Sequence, residues 1–243
     1  MKNMVYSVLK GVRQSTGLTS GTCELCLQQA DASGFLCAPC HQQLSVSHNA
    51  CSQCAEPMSE PGRCARCQQT PPAFDYAYSS YLYQPPMSSW LLAAKDKTHL
   101  QWLLRLGWLM RQKPPHTMDQ VDGLIFMPSA RKRRLVRGYN PAQLLALPVA
   151  RQYRLPLYED ALKKTSVADQ RGLSASQRRH NQKRSFISGQ RTFDGEHLLI
   201  IDDVITTGAT ADAAARLLKQ QGAGIVGVWS LCRTPAKSQS NNK

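Results

Sequence analysis

The sequence predicts an α/β domain built on a parallel sheet and preceded by a small cysteine-rich module. Three observations carry this expectation. Apolar strand-like runs alternate with helical stretches from Tyr76 onward, the order in which a parallel sheet and its flanking helices are laid down. One run, Leu198 to Ile201, is aliphatic on both faces, as a strand covered on both sides must be. Eight of the nine cysteines fall within 45 residues near the N-terminus, as four CxxC pairs.

The cysteine module comes first, over residues 20–70. Its pairs are Cys23 with Cys26, Cys37 with Cys40, Cys51 with Cys54 and Cys64 with Cys67. A CxxC turn aims two thiolates at one point, and two such turns complete a tetrahedral four-sulfur site for Zn²⁺. Eight ligands make two sites. With all positions filled by cysteine, both are expected to be structural. Sequential pairing is the simplest; the spacing also allows an interleaved one. Regular CxxC pairs in a reducing compartment argue against disulfides. A block this short buries little core, so metal binding is expected to supply its folding energy. His41 and His48 have no ligand spacing and read as surface residues. Cys232, in an apolar run, reads as a small buried hydrophobe.

The stretch QQTPPAFD, with its paired prolines, reads as a linker into the second domain, residues 75–234. YAYSSYLY (76–83) alternates as a strand does. From Met87 to Gln112 apolar residues recur at helical spacing, with a break near Asp96 to Thr98, and Trp90 and Trp102 read as core. Val121 to Met127 is a short buried strand. A basic loop, RKRRLVRGYN, follows, and then a helix from about Pro141 to Arg151. A polar stretch from about Thr165 to Ser185 has no hydrophobic face, and a loop of that length in a compact domain is usually functional or disordered. After the strand at Leu198 come a helix from Ala209 to Gln221, with Gly222 past its end, and a last strand from Ile225 to Leu231. Residues 235–243 read as a disordered tail.

The formal charge of +14 and pI near 9.6 point to polyanions: nucleic acid, an anionic membrane surface or phosphorylated small molecules. The charge is concentrated. Between Ser129 and Arg191 there are 15 Lys or Arg against three acids. No apolar run reaches the roughly 18 residues of a membrane helix, and the N-terminal stretch is too interrupted for a signal peptide. The expectation is a cytoplasmic protein with no membrane insertion.

Residues 198–210, LLIIDDVITTGAT, carry the sharpest chemistry. A strand over Leu198 to Ile201 is followed by Asp202 and Asp203, and a loop of small donors runs into a helix. Backbone N–H groups of Thr206, Thr207, Gly208, Ala209 and Thr210 would gather at a helix N-terminus, a ready anion site. Gly208 allows close approach or positive φ. The acids repel anions but accept hydrogen bonds from sugar hydroxyls. Together the two halves describe a pocket for ribose 5-phosphate.

This stretch resembles the phosphoribosyl pyrophosphate (PRPP) motif of type I phosphoribosyltransferases, over its full length. Met127-Pro128, Arg137-Gly138-Tyr139-Asn140 and Leu144-Leu145-Ala146 resemble a segment of the ComF competence-protein family, which includes a group labelled GntX. Gln170, Leu173, Arg178, Asn181 and Phe186 match a second segment without a gap. The cysteine block is similar to that family's double zinc ribbon, so the likeness spans about residues 23–233. It departs at Pro141, where the family usually has Gln, and at Asp96, where an aromatic commonly follows the lysine. Thr206 stands where hypoxanthine–guanine transferases carry a catalytic acid, so no catalytic base is carried over.

The resemblance implies a type I phosphoribosyltransferase-like parallel sheet flanked by helices, and a link to DNA uptake in transformation or nutrition. On that reading PRPP enters with Mg²⁺. Arg131, Arg133, Arg134 and Arg137, with Tyr139 and Asn140, would line the pyrophosphate side. The segment holding Gln170, Arg178 and Asn181 would close over the site. In a rival reading the fold is kept but serves single-stranded DNA, with Tyr139 as a stacking aromatic. In a third, the protein is an adaptor for DNA-import machinery.

Overall fold

A computed structural model describes residues 21–31, 35–95, 100–164 and 186–236. The chain divides into two compact units, residues 1–44 and 45–243. The smaller holds one cysteine group. Its first CxxC turn is closed by Leu27 N–H donating to Cys23 C=O at 3.0 Å, with Leu27 at a φ of 62°. Its second CxxC opens a one-turn helix, α1 (Ala38–Gln42).

The larger unit begins by repeating that plan. Ala55 N–H donates to Cys51 C=O at 2.8 Å, with Ala55 at a φ of 56°. A second short helix, α2 (Ala65–Gln69), follows Cys64. This group does not stand apart from the sheet. Cys51, Cys54, Ala55 and Cys67 belong to the same buried cluster as Phe74, Leu198, Ile200, Val226 and Val228.

The sheet has four parallel strands in the order β1-β6-β5-β2, from β1 (Tyr76–Leu82), β2 (Gly123–Phe126), β5 (His197–Ile205) and β6 (Ile225–Arg233). A separate antiparallel pair, β3 (Leu162–Lys164) and β4 (Phe186–Ser188), joins the core through Leu162 and Phe186. The two central strands are buried through nearly their whole length, as an aliphatic parallel strand must be.

Helices flank the sheet. The helix α7 (Ala209–Gln220) lays Ala211, Ala214, Ala215 and Leu218 against the face carrying Leu198, Ile200, Val226 and Val228. Three more helices are α3 (Met87–Ala93), α4 (Leu100–Arg111) and α6 (Pro141–Tyr153). Of these, α6 packs on β5 and β2, and α4 packs on α6 and β6. Their axes come close because Gly107 has no side chain. A Cβ there would stand 3.0 Å from Leu145 C=O and 3.1 Å from Pro148.

The main strands and helices fall where the periodicity predicts them; it does not anticipate β3 and β4, and three predicted features differ. The segment predicted as a basic loop is a helix, α5 (Arg131–Arg137), ended by Gly138 at a φ of 84°. The strand carrying the acids runs on to Ile205, so Asp202 and Asp203 lie within it rather than beyond it. Trp90 and Trp102, expected as core, are half-buried and stack on one another at 5.6 Å. Trp229 is the tryptophan that fills the core, its Nε1–H donating to Ser80 Oγ at 2.9 Å. Cys232 is fully buried, as its apolar setting predicts. Among the described residues no helix is long and apolar enough to cross a membrane.

Candidate functional site

Strand β5 places the acids. Its burial is complete from His197 to Ile201 and opens at Asp202. Each acid folds one carboxylate oxygen onto the backbone ahead of it. Asp202 Oδ1 accepts from Asp203 N–H at 2.9 Å, and Asp203 Oδ1 accepts from Val204 N–H at 2.8 Å. One oxygen of each remains for another donor. For Asp203 that donor is Lys95, with Nζ 2.9 Å from Oδ2. Burial, followed by the charge of Asp203, holds the Asp202 carboxyl well above the ordinary carboxylate range; the charge of Lys164 pulls the other way. Asp202 is half-buried, so solvent moderates this.

Four residues beyond the strand, α7 begins. Gly208 stands at its N-cap with a φ of 81°, a conformation that costs an L-residue strain. A Cβ at Gly208 would meet the ring of Phe74 at 3.6 Å, an ordinary contact. Thr206, Thr207 and Thr210 are exposed, and Thr207 Oγ1 accepts from Ala209 N–H at 3.4 Å. Three exposed hydroxyls and the N-terminus of a twelve-residue helix thus lie just past the acids, where the helix dipole favours an anion.

The basic segment leaves the same end of the sheet, at the carboxyl end of β2 beside that of β5. Phe126 pairs with Ile201, and Met127 N–H donates to Ile201 C=O at 2.8 Å. The chain goes out through α5 and is brought back by Asn140. Its Nδ2–H donates to Met127 C=O at 3.0 Å, and its Oδ1 caps α6 by accepting from Ala142 N–H at 3.1 Å. Tyr139, expected as a stacking surface, is 6% exposed and donates its hydroxyl to Ala94 C=O at 2.9 Å. Burial removes its ring from any base. Its bond to Ala94 instead fixes the residue just before Lys95. Arg134 is exposed and Arg137 half-buried. Only the backbone of Arg131 and Arg133 is described. Ser129 Oγ is enclosed and has no hydrogen-bond partner among the described residues. Gln170, Arg178 and Asn181 lie outside the described residues.

Sequence reasoning missed Lys95 and Lys164 as neighbours of the acids, and it missed Arg233. Lys95 lies more than a hundred residues before Asp203, and only the fold joins them.

The cysteines pair sequentially. Cys23, Cys26, Cys37 and Cys40 form one group, and Cys51, Cys54, Cys64 and Cys67 the other, with all ligand atoms of a group within 4.8 Å of one another. A tetrahedral ion with Zn–S bonds of about 2.3 Å implies sulfur–sulfur edges of about 3.8 Å. Cys26 and Cys37 are 3.6 Å apart, and Cys54 and Cys64 are 3.8 Å apart. Burial would raise the Cys23 thiol, but N–H groups of Cys26, Leu25 and Cys37 outweigh it and bring it down to about 6. Cys51 falls to about 7 for the same reasons, burial being offset by Cys64, Cys54 and Gln53 N–H groups. Both groups fit a divalent soft cation.

A parallel sheet with an acid pair and a threonine loop at one end defines a type I phosphoribosyltransferase fold. Residues 142–243 match the phosphoribosyl transferase domain family. The DNA utilization protein YhgH of Escherichia coli O157:H7 is 33% identical over 177 residues, 70% of this chain and 78% of that one. Competence protein F of Haemophilus influenzae is 31% identical over 180 residues, with the same shares. The chain belongs to the ComF family, with two four-cysteine groups in its N-terminal part. Among solved structures, a purine phosphoribosyltransferase from Pyrococcus horikoshii is 16% identical, covering 55% of this chain and 84% of that one. Its TM-score of 0.33 adds nothing to the sequence relationship.

Proposed function

We propose that the larger unit binds PRPP, or the ribose 5-phosphate group within it, and serves the use of imported DNA, as the names of its relatives suggest for them. The observation that carries the reading is the order along one stretch of chain: two half-buried carboxylates in a strand, then exposed threonines at the start of α7. A 5-phosphate suits the N–H groups and hydroxyls of Thr206 to Thr210. Vicinal sugar hydroxyls suit the second oxygen of Asp202 and the remaining lone pair of Asp203 Oδ2 beside Lys95, both as acceptors.

In the transfer reaction this pocket would support, an acceptor's lone pair bonds to ribose C1 as the C1–O bond breaks and pyrophosphate leaves with the electron pair. Arg134 and Arg137, beside Arg131 and Arg133, would offset the charge gathering on pyrophosphate, and Ser129 offers a hydroxyl at the same turn. Mg²⁺ bound with PRPP would supply further charge compensation, which carboxylate oxygens are suited to assist. Zn²⁺ is assigned to the two cysteine groups as a structural ion.

Calorimetric titration of PRPP with Mg²⁺ into the zinc-loaded protein is expected to show binding. Replacing both Asp202 and Asp203 by Ala should abolish it. An absence of binding to the unaltered protein sinks the proposal.

The position of α5 favours a second, compatible role. A basic helix at the same sheet end as the acids can track the backbone of single-stranded DNA. Affinity should then fall steeply with salt. If Arg133→Glu with Arg134→Glu leaves single-strand affinity unaltered, this role is wrong.

A further inference from the structure

The second cysteine group reaches the threonine loop by two routes. The first is Arg233, the last residue of β6, which is 1% exposed. Its guanidinium spans the two elements. Nε–H donates to Cys54 C=O at 3.2 Å, within the cysteine group. Nη1–H donates to Ile205 C=O at 3.1 Å and also to Thr206 C=O, where the threonine loop leaves the strand. Nη2–H pairs with Glu56, two residues after Cys54. The second route is Gln53, between Cys51 and Cys54. Its Nε2–H donates to Phe74 C=O at 2.7 Å, and the Phe74 ring lies under Gly208. One residue back, Ala73 N–H donates to Asp212 Oδ1 at 2.6 Å, in the first turn of α7.

A buried guanidinium needs acceptors on every side, because an unpaired buried charge is costly. Arg233 meets that need by joining carbonyls of two separate elements, so neither can shift without stranding it. We infer that the metal-bound second cysteine group, acting through Arg233 and Gln53, sets the conformation of the Thr206–Thr210 loop. Arg233 is then a positioning residue, touching carbonyls rather than ligand. Coupling of this kind is reciprocal: if metal at Cys51, Cys54, Cys64 and Cys67 favours ligand at the loop, ligand at the loop must favour retention of that metal. The inference rests on reading Thr206–Thr210 as a phosphate loop.

Three measurements on the full zinc-loaded chain test it. Hydrogen exchange needs no ligand. Arg233→Met is expected to speed exchange of the hydrogen-bonded amides that close the loop, Ala209 and Asp212, by at least about fivefold, while Leu198 to Ile201 stay protected. Arg233→Lys, which keeps the charge with fewer donors, should fall between. Should Arg233→Met fail to fold, Glu56→Gln decides, because it loosens the same guanidinium from a half-buried position. In calorimetry with PRPP and Mg²⁺, the variants should bind at least about fivefold more weakly. With a competing chelator, PRPP should slow zinc loss from the second group and leave the first unchanged.

Unaltered loop exchange in a folded Arg233→Met protein, or in Glu56→Gln where the former does not fold, overturns the coupling. Equal protection of both zinc ions by PRPP does the same. If the unaltered protein binds no PRPP, the ribose-phosphate reading fails, and the exchange measurement still decides whether the cysteine group sets the loop.

Discussion

Replacing Gly208 by Ala isolates what the threonine loop demands of its backbone. The residue sits at a φ of 81°, and its Cβ would lie 3.6 Å and 3.8 Å from atoms of Phe74. Those distances are van der Waals contact, so crowding contributes nothing, and the cost is left-handed strain alone. That strain is about 1–2 kcal/mol for an L-residue. In a unit of about 200 residues each kcal/mol moves the midpoint by about 2–4 °C, so Tm should fall by roughly 2–8 °C. The strain has a second outlet: the loop can relax by turning its N–H groups away from the anion, and PRPP affinity should fall as well. Gly195 provides the control. Its φ is 85° and a Cβ there meets nothing within 4 Å, so Gly195→Ala carries the same strain far from the loop. Calorimetric scans at fixed free zinc should show similar losses of Tm for both variants, and titration should show weakened binding for Gly208→Ala alone. Equal binding by the two variants would refute the claim that this glycine serves the ligand.

Three further outcomes follow from the geometry. The Asp202 carboxyl is held above its ordinary range by burial and by Asp203, so the folded state retains a proton the unfolded chain releases. Stability should therefore decline as pH rises from the ordinary carboxylate range through the raised value, and Asp202→Asn should flatten that decline in a pH series of thermal unfolding while ligand binding is lost. The Lys95–Asp203 pair is partly exposed, with side-chain accessibilities of 26% and 22%, so a double-mutant cycle with Lys95→Met and Asp203→Asn should give a coupling of about 1 kcal/mol in unfolding experiments. Cys54→Ser should destabilise the sheet unit far more than Cys26→Ser, because Cys54 is 1% exposed within the sheet core whereas Cys26 is exposed; urea unfolding of each variant checks this.

Much of the fold was legible because its signals are local. The aliphatic run before Asp202 and each CxxC turn fit in a dozen residues or fewer, although the spacing left open which CxxC turns share an ion. Helix α5 was not legible because its apolar residues, Leu135 and Val136, are adjacent rather than three or four apart, and both are exposed at 67% and 65%. With no stripe to bury, the segment read as a loop, although Gly138 marked its end. Tyr139 and Asn140 drew attention as ligand contacts, and the structure uses both side chains to fasten the site's backbone. Arg233, two residues past the predicted end of the last strand, carried no motif of its own. Its role depends on carbonyls 27 and 179 residues away, which no local pattern announces.

That same separation has a consequence for how the protein is made. Strand β1 has β6 as its one neighbour in the sheet, and Cys54 meets Arg233 only when both exist. On a ribosome, the second cysteine group can take up its ion early, but it must wait with part of its apolar surface uncovered until the chain has been synthesised through Arg233. The threonine loop is thus closed last, and a chain truncated before that arginine would carry every residue of the acid and threonine motif without the guanidinium that ties Ile205 and Thr206 to Cys54.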